Sequence, residues 1–228
     1  MFLHRFKKEL PVLDRTPKSV LATASLALSL GAASAQHASI VSVTGDIVDG
    51  GALPPDLTQN VVDDANGQVF FEGTTTLLAD VTVDGGGTIS AGTAVDIYLF
   101  HFDPPIPGGG FQLFTASGTV TFDNDILGTA STLSVLEPTD NLAGTTTAYS
   151  TFNARGFEST GGNPDTISFA GATATISAFS GSNNPGGAAF EQARIFTVGS
   201  EVVIPEPASV VVAGIGTLLM VSSRRRRR

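Results

Sequence analysis

Two short runs of Asp and Asn bring hard oxygen ligands close together along the chain. One is Asp123-Asn124-Asp125, and the other is Asp63-Asp64-Ala65-Asn66-Gly67. Carboxylate and amide oxygens are the ligands that Ca²⁺ takes, and an extracellular site of millimolar affinity needs few of them. Neither run has the full twelve-residue calcium loop, and turns favour Asp and Asn for conformational reasons. We therefore take Asp123 and Asp125 as candidate calcium ligands, with an ordinary turn as the alternative, and expect no other cofactor.

The side chains that nucleophilic or acid–base catalysis requires are scarce. The chain has no cysteine, and after Ala35 it has no lysine and only two histidines, His37 and His101. Catalysis would have to use Ser or Thr with His101, or a carboxylate pair such as Asp63 with Asp64 or Asp123 with Asp125. Neither a Gly-x-Ser-x-Gly elbow nor a His-Glu-x-x-His helix occurs. We expect a structural role for His101 and no enzymatic activity.

Arg155 and Arg194 are the only cationic side chains between residues 36 and 204. The same stretch holds 18 acidic residues, so both arginines are expected to form ion pairs. Arg194 lies between Ala193 and Ile195 in an apolar run, which predicts that it is partly buried. Glu158 and Asp103 are the expected partners, and an arginine awaiting an anionic ligand is the alternative.

Charge excludes one class of function. Two arginines against 18 acidic residues leave residues 36–204 with a formal charge of −16. A surface of this sign repels nucleic acid and anionic membranes, while it attracts divalent cations and cationic polymers. We expect no nucleic-acid partner.

The elements that must position these side chains are strands. Short runs rich in Val, Ile, Thr and Phe alternate with Gly, Asn, Asp and Pro, and no helical apolar stripe is sustained. The predicted strands are Ser39–Val43, Gln68–Phe71, Thr74–Val83, Thr93–Phe102, Gly118–Phe122, Thr129–Leu136, Thr166–Phe169, Thr173–Phe179 and Ala193–Val198. About 169 residues suffice for one buried core. The prediction is an all-β fold, a single two-sheet β-sandwich that is jelly-roll-like or Ig-like.

More specific predictions can be made for one strand and for several of the connections between strands. Both faces of Thr93–Phe102 are apolar, which is typical of a strand near the middle of a sheet. Asp84-Gly85-Gly86-Gly87 predicts a hairpin turn, because glycine readily adopts positive φ. The Gly- and Pro-rich segments Asp103–Gly110, Gly161–Pro164 and Gly181–Gly187 are expected to be exposed loops.

The first 35 residues have the order of a secretory signal. Five basic residues precede the apolar run Val20–Gly31, and Ala33-Ser34-Ala35 supplies the small residues that signal peptidase requires. Ala33 and Ala35 are the predicted recognition residues, with cleavage after Ala35. A retained N-terminal anchor is the alternative.

The C-terminal segment, residues 204–228, has three parts in order. Pro205-Glu206-Pro207 can continue neither a helix nor a regular strand. The 17 residues from Pro207 to Ser223 are uncharged and just long enough to span a bilayer as a helix. The segment ends in a basic cluster that holds the C-terminus inside, made of Arg224, Arg225, Arg226, Arg227 and Arg228.

This segment resembles the PEP-CTERM sorting signal of exported bacterial proteins. The resemblance covers the last 24 residues and implies recognition by an exosortase, which cleaves near Pro205-Glu206-Pro207 and releases the protein to the envelope surface or the exopolysaccharide matrix. A plain membrane anchor is the alternative. More loosely, a set of short runs resembles a β domain found in exported proteins with this kind of tail: Asp96–Asp103, Gly118–Asp123, Asp125–Gly128, Arg155–Glu158 and Ala193–Phe196.

The sequence as a whole predicts three parts: a signal peptide at 1–35, an acidic β-sandwich domain at 36–203 and the sorting segment at 204–228. Signal peptidase, an exosortase, the membrane before processing and exopolysaccharide are the expected partners. A structural or adhesive role on the cell surface or in the extracellular matrix is the leading hypothesis. The alternatives are a glycan- or calcium-binding module and a secreted hydrolase.

Overall fold

Strands account for most of the protein as its computed structural model describes it, over residues 39–58, 61–62, 64–105, 111–151, 155–158, 164–183 and 190–199. The chain divides into two units, Met1–Ala33 and Ser34–Arg228, and all the described residues lie in the second. The predicted signal peptide, the sorting segment and His37 fall outside the described residues. Within the described ranges, no helix is both long and apolar enough to cross a membrane.

Thirteen strands and one short helix are described. They are β1 (Ile40–Gly45), β2 (Ile47–Ala52), β3 (Asp56–Leu57), β4 (Gly67–Thr76), β5 (Val81–Thr82), β6 (Thr88–Ile89), β7 (Ala94–Phe102), β8 (Phe111–Phe122), β9 (Ile126–Ala130), α1 (Leu133–Leu136), β10 (Ala148–Tyr149), β11 (Thr166–Ala170), β12 (Thr173–Asn183) and β13 (Glu191–Val198). Single 3₁₀ turns occur at Asp84–Gly86 and Glu137–Thr139. The all-β class is therefore confirmed.

The long strands form two sheets. One has the order β1-β8-β12-β11 and is antiparallel throughout. The other has the order β2-β4-β7-β13-β9 and is antiparallel except for the parallel pair β2 and β4. Strand β7 is the middle strand of five, as its two apolar faces predict. Two small ladders, β3 with β10 and β5 with β6, complete the pairing.

Both sheets contribute to the largest apolar cluster. Tyr98 and Phe100 from β7 and Ile195 from β13 pack in the same cluster as Val120 from β8 and Ile176 from β12. Because neighbouring strands place opposed residues on the same face, the alternate residues of β7 and β13 lie on the other face of the five-stranded sheet. Two smaller clusters cover that face, one around Phe196 and one around Leu99.

Two of the predicted strands are not continuous in the structure. The predicted strand Thr129–Leu136 is wrong beyond Ala130, since Leu133–Leu136 is helical. Ser131 leaves the ladder there and donates its N–H to Asp84. The predicted strand Thr74–Val83 is interrupted, because β4 ends at Thr76 and β5 begins at Val81. Strand β2 was not predicted, because its Asp and Gly residues are typical of turns.

The predicted turn and loops had different outcomes. The hairpin at Asp84–Gly87 is confirmed: it joins the antiparallel pair β5 and β6, and Gly85 and Gly86 have φ of 76° and 77°. The expectation of an exposed loop is wrong at its start, since Asp103 and Pro104 are buried. It is also wrong at residues 181–183, where β12 continues. Pro105 and Pro164 are exposed, as predicted, and the remainder of these loops lies outside the described residues.

Candidate functional site

Arg194 is the most completely buried cation of the described chain, with 0 % of its surface exposed. It lies on β13 opposite Leu99 of β7, on the face of the five-stranded sheet that is turned away from the largest cluster. Its Nε lies 2.6 Å from Oε2 of Glu72, and its Nη2 donates to the other oxygen of the same carboxylate at 3.0 Å. This bidentate pair is the strongest geometry available to an arginine.

The remaining donors of Arg194 reach the segment that covers the sheet. Nη1 donates to the carbonyl of Leu136 at 3.1 Å, to the Thr139 hydroxyl at 2.9 Å and to Asp140 at 2.7 Å. One guanidinium therefore ties the segment from α1 to Asp140 to strands β4 and β13. Satisfying these donors is required, because an unpaired buried charge costs several kcal/mol.

Arg155 shares the Asp140 carboxylate and is 1 % exposed. Its two Nη atoms donate to the two oxygens of Asp140, and Nη1 also donates to the Ser150 carbonyl at 3.1 Å. Burial acts to raise the pKa of Asp140, but the hydrogen bonds and charges of Arg155 and Arg194 outweigh it and hold that pKa below its usual value.

Tyr149 lies between the two cations. The guanidinium carbons of Arg194 and Arg155 are 4.7 and 5.3 Å from the centre of its ring, and its hydroxyl donates to Glu72. Burial and the Glu72 carboxylate raise the pKa of Tyr149 to about 12. Burial lowers the pKa of Arg194, whereas Glu72, Tyr149 and Asp140 together raise it by more, so the net shift is upward. We call these residues, Glu72, Asp140, Tyr149, Arg155 and Arg194, the arginine network.

The expected partners of the arginines are wrong. Arg194 pairs with Glu72 and Asp140 rather than with Glu158 or Asp103. Glu72 reaches Arg194 because β4 carries a β-bulge: Phe71 pairs with Tyr98 and Gly73 pairs with Ile97, which leaves Glu72 as the extra residue. A β-bulge changes the direction of a side chain in this way. No local pattern in the sequence predicts a bulge here.

His101 is connected to the arginine network through Gln192. Arg155 Nε donates to Gln192 Oε1 at 2.7 Å, which leaves the Gln192 amide nitrogen, 2.9 Å away, to donate to His101 Nδ1. The imidazole is therefore an acceptor at Nδ1 and neutral. Burial, and then the charge of Arg155, lower the pKa of His101 from 6.5 to about 4. The histidine serves as a buried polar contact of strand β7, 1 % exposed.

A second group of titratable side chains lies apart from the arginine network. One carboxylate oxygen from each of Glu158, Asp165 and Glu191 lies within 4.8 Å of the other two. We call this group the acidic trio. Asp165 is held by two backbone donors, Phe179 N at 2.6 Å and Glu158 N at 3.0 Å. Burial and then the neighbouring carboxylates raise the pKa of Glu191 to about 10, and burial also raises the pKa values of Glu158 and Asp165.

The carboxylates singled out in the sequence are in turns. Asp123 accepts hydrogen bonds from the Ser39 N–H and hydroxyl, at 2.9 and 3.0 Å, and Asp125 is exposed. Among the described residues, neither belongs to a group of three or more metal-ligating side chains. Asp64 accepts hydrogen bonds from Asn66 N and from Gln68 Nε2, while Asp63 lies outside the described residues. The acidic trio was missed because Glu191 joins Glu158 and Asp165 only through the pairing of β13 with β7.

Several predicted residues have no described structure. The signal-peptidase residues Ala33 and Ala35, the triplet Pro205-Glu206-Pro207 and the five terminal arginines all fall outside the described ranges. Their roles remain predictions from the sequence.

Replacing Arg194 with Met tests the arginine network. The variant leaves the Glu72 carboxylate buried without its cation, so we expect a loss of about 3–5 kcal/mol in the free energy of unfolding, measured by urea denaturation of the full chain. The double variant Glu72→Gln/Arg194→Met removes both charges and should recover part of that loss. An Arg194→Met variant as stable as the wild type would contradict the structural role.

The low pKa of His101 predicts a pH dependence of stability. Below pH 6.5 the unfolded chain binds a proton at His101, whereas the folded protein does so only near pH 4. The histidine therefore costs stability as the pH falls through this window, about 2 kcal/mol between pH 6.5 and 5. In His101→Asn the amide oxygen still accepts from Gln192 but does not titrate. Urea titrations should show a smaller loss over this window for the variant, and equal losses would contradict a neutral His101.

Comparison with known proteins finds no match: no protein-family model fits the chain, and neither a curated protein nor a solved structure is significantly similar to it. The function is therefore inferred from the residues and geometry of the chain itself.

Proposed function

We propose that the protein is an exported component of the cell surface or extracellular matrix, with a structural and adhesive role and no catalytic activity. The proposal has two sources. The predicted signal peptide and the PEP-CTERM-like tail supply the route: signal peptidase acts after Ala35, the tail anchors the chain in the membrane, and an exosortase processes it at Pro205-Glu206-Pro207. The surface of the β domain supplies the role.

The folded body is proposed to be a single two-sheet β-sandwich, jelly-roll-like or Ig-like. The support is the apolar cluster that takes Tyr98, Phe100 and Ile195 from one sheet and Val120 and Ile176 from the other. A shared cluster of this kind is typical of two sheets packed face to face. Such a body is stiff and compact, which suits a structural component.

The observation that carries the adhesive role is a hydroxyl-covered sheet face. In the four-stranded sheet, the residues that alternate with the buried Val120 and Ile176 are Ser or Thr in row after row. The rows, read across the strands, are Ser42 with Thr121 and Thr173, then Thr44 with Thr119, Thr175 and Ser168, then Ser117 with Ser177 and Thr166. All of these side chains are exposed or half-buried. We call this surface the hydroxyl face.

The hydroxyl face is ordered by its own contacts. Thr44 Oγ1 lies 2.8 Å from Thr119 Oγ1, and Thr121 Oγ1 lies 3.1 Å from Thr173 Oγ1. Cross-strand hydroxyl pairs stabilise a sheet and hold these side chains in place. A flat, fixed array of donors and acceptors matches the hydroxyls of a polysaccharide chain.

The distribution of charge favours contact at this face. Both cationic side chains of residues 36–204 are buried in the arginine network, so the charged groups that reach the surface of this part are carboxylates. Carboxylates repel anionic polymers. The three rows contain no charged residue, and the exposed carboxylate at their edge is Asp46, which accepts a hydrogen bond from Ser117 N at 3.4 Å. An anionic exopolysaccharide therefore meets less repulsion over the rows than beside an exposed carboxylate.

The hydrolase alternative has less support. A groove between the segment Thr75–Thr82 and the α1 region is lined mainly by Thr and aliphatic side chains. Among its described lining residues, Asp80 is the one titratable group and none is aromatic. Glycoside hydrolysis uses two carboxyl groups across the bond. A glycan-binding module is the alternative that the hydroxyl face also favours, and it differs from an adhesive component in being selective for one sugar.

Retention of the full chain on the producer's own exopolysaccharide tests the adhesive role. Thr175→Glu places a carboxylate in the middle of the hydroxyl face, where it repels an anionic polymer and breaks the row of hydroxyls. We expect retention to fall several-fold. Thr88→Glu adds the same charge at an exposed position of β6 and serves as the matched control.

The control variant should be retained like the wild type. Adhesion through the hydroxyl face would be contradicted if the two variants were retained equally. It would also be contradicted if neither the wild type nor the variants were retained. Retention on one glycan alone would instead favour the selective binding module.

A further inference from the structure

The acidic trio is assembled from three separate parts of the chain. Glu158 follows the segment that bridges to β13 at Gly156, Asp165 directly precedes β11, and Glu191 is the first residue of β13. Reciprocal hydrogen bonds join the first two: Glu158 N donates to Asp165 Oδ2, and Asp165 N donates to the Glu158 carbonyl, both at 3.0 Å. The fold itself brings these carboxylates together.

Glu191 lies in a strand, so the preference of turns for acidic side chains does not explain its position. It pairs with Phe102 in the ladder, so it shares the sheet face of Ala193 and Ile195, which belong to the largest apolar cluster. It is 0 % exposed, and in the described part of the chain neither of its carboxylate oxygens has a hydrogen-bond partner. A buried carboxylate without partners is strongly unfavourable unless a cation or a proton neutralises it.

We propose that Glu158, Asp165 and Glu191 bind a divalent cation, and that the cation is calcium. The ligands are all carboxylate oxygens, which hard cations take. Three of them surround one point from three elements of the fold. Neither oxygen of Glu191 has a hydrogen-bond partner, and the one that lies within 4.8 Å of the other two carboxylates is available to the cation.

The distances suit Ca²⁺. Calcium holds oxygen ligands at about 2.3–2.6 Å, so two ligands on opposite sides of the ion are about 5 Å apart. The three carboxylate oxygens lie within 4.8 Å of one another, which is close enough for them to share such a shell. Magnesium usually keeps several waters and takes one or two carboxylates, so three carboxylates in a flexible arrangement favour calcium.

The three residues differ in their exposure to solvent, and this difference gives an ion a route from solvent to Glu191. Glu158 is exposed, Asp165 is 6 % exposed and Glu191 is fully buried, so the trio runs from solvent inwards. Water can complete the shell on the Glu158 side, as it does in many Ca²⁺ sites. Each Asp165 oxygen accepts one backbone N–H and keeps a second lone pair for the ion.

The competing occupant is a proton. Burial, and then the neighbouring carboxylates, raise the pKa of Glu191 to about 10, which favours the neutral carboxyl in the folded protein when no cation is bound. A cation and a proton make opposite predictions for Glu191→Gln, whose side chain is neutral and similar in shape. If calcium binds, the variant replaces a charged ligand with a neutral amide oxygen, and its affinity for calcium falls sharply. If only a proton binds, calcium has no effect in either protein.

Thermal unfolding of the full chain, freed of metal with a chelator, tests the proposal. For an extracellular site with a dissociation constant of about 0.1–1 mM, about 10 mM CaCl₂ should raise the melting temperature by about 3–10 °C. Sodium chloride of equal ionic strength controls for screening of the acidic surface. Glu191→Gln should melt at or above the wild-type temperature without calcium and should not respond to it. Asp123→Asn/Asp125→Asn is the matched control and should keep the full response.

The possible results distinguish calcium at the acidic trio from a proton there and from calcium at another site. A wild-type melting temperature that calcium leaves unchanged relative to sodium chloride would overturn the proposal and assign a proton to the trio. A calcium response that survives in Glu191→Gln would also overturn it. Loss of the response in Asp123→Asn/Asp125→Asn alone would move the calcium site to that turn. Glu158→Gln, at the exposed position, gives a second variant if Glu191→Gln does not fold.

Discussion

The ion pair between Arg194 and Glu72 is the interaction on which the arrangement of the described domain depends. It is wholly buried on the face of the five-stranded sheet that the largest apolar cluster does not cover. Through Leu136, Thr139 and Asp140 the same guanidinium holds the segment after α1 against that face. A buried pair of this kind adds little net stability over an apolar contact, but removing one partner is costly. The network therefore specifies where the covering segment lies.

The charge distribution of the protein follows from that network. Residues 36–204 have only two cations, and the fold uses both inside, where Asp140 and Tyr149 contact each of them. The surface is left with carboxylates and with the neutral hydroxyl face. Several carboxylates are also buried, and one of them, Glu191, lies at the end of the large apolar cluster beside Glu158 and Asp165. The excess of acidic residues thus makes the surface negatively charged, which the proposed surface role depends on. It also supplies the carboxylate ligands of the proposed calcium site.

The structural features that were predicted correctly from the sequence are those that neighbouring residues determine. The apolar residues on both faces of Thr93–Phe102 identified the central strand, and the Gly run after Asp84 identified a hairpin, because these patterns are properties of neighbouring residues. That the two arginines would have acidic partners followed from the composition, but the identity of the partners did not. Glu72 and Arg194 are 122 residues apart and meet through a bulge. Glu191 was missed because the predicted strand began two residues later, at Ala193, and its burial depends on pairing with Phe102.

The central claim is that this β domain is exported and then released from a transient membrane anchor. Intact-mass and terminal-peptide analysis of the protein recovered separately from envelope and medium tests it most directly. The account predicts a product that begins near Gln36 and ends near Pro205, and a product that keeps Arg228 when Pro205-Glu206-Pro207 is replaced by three alanines. A wild-type product that still ends at Arg228 in both fractions would contradict it and would make the tail a plain membrane anchor.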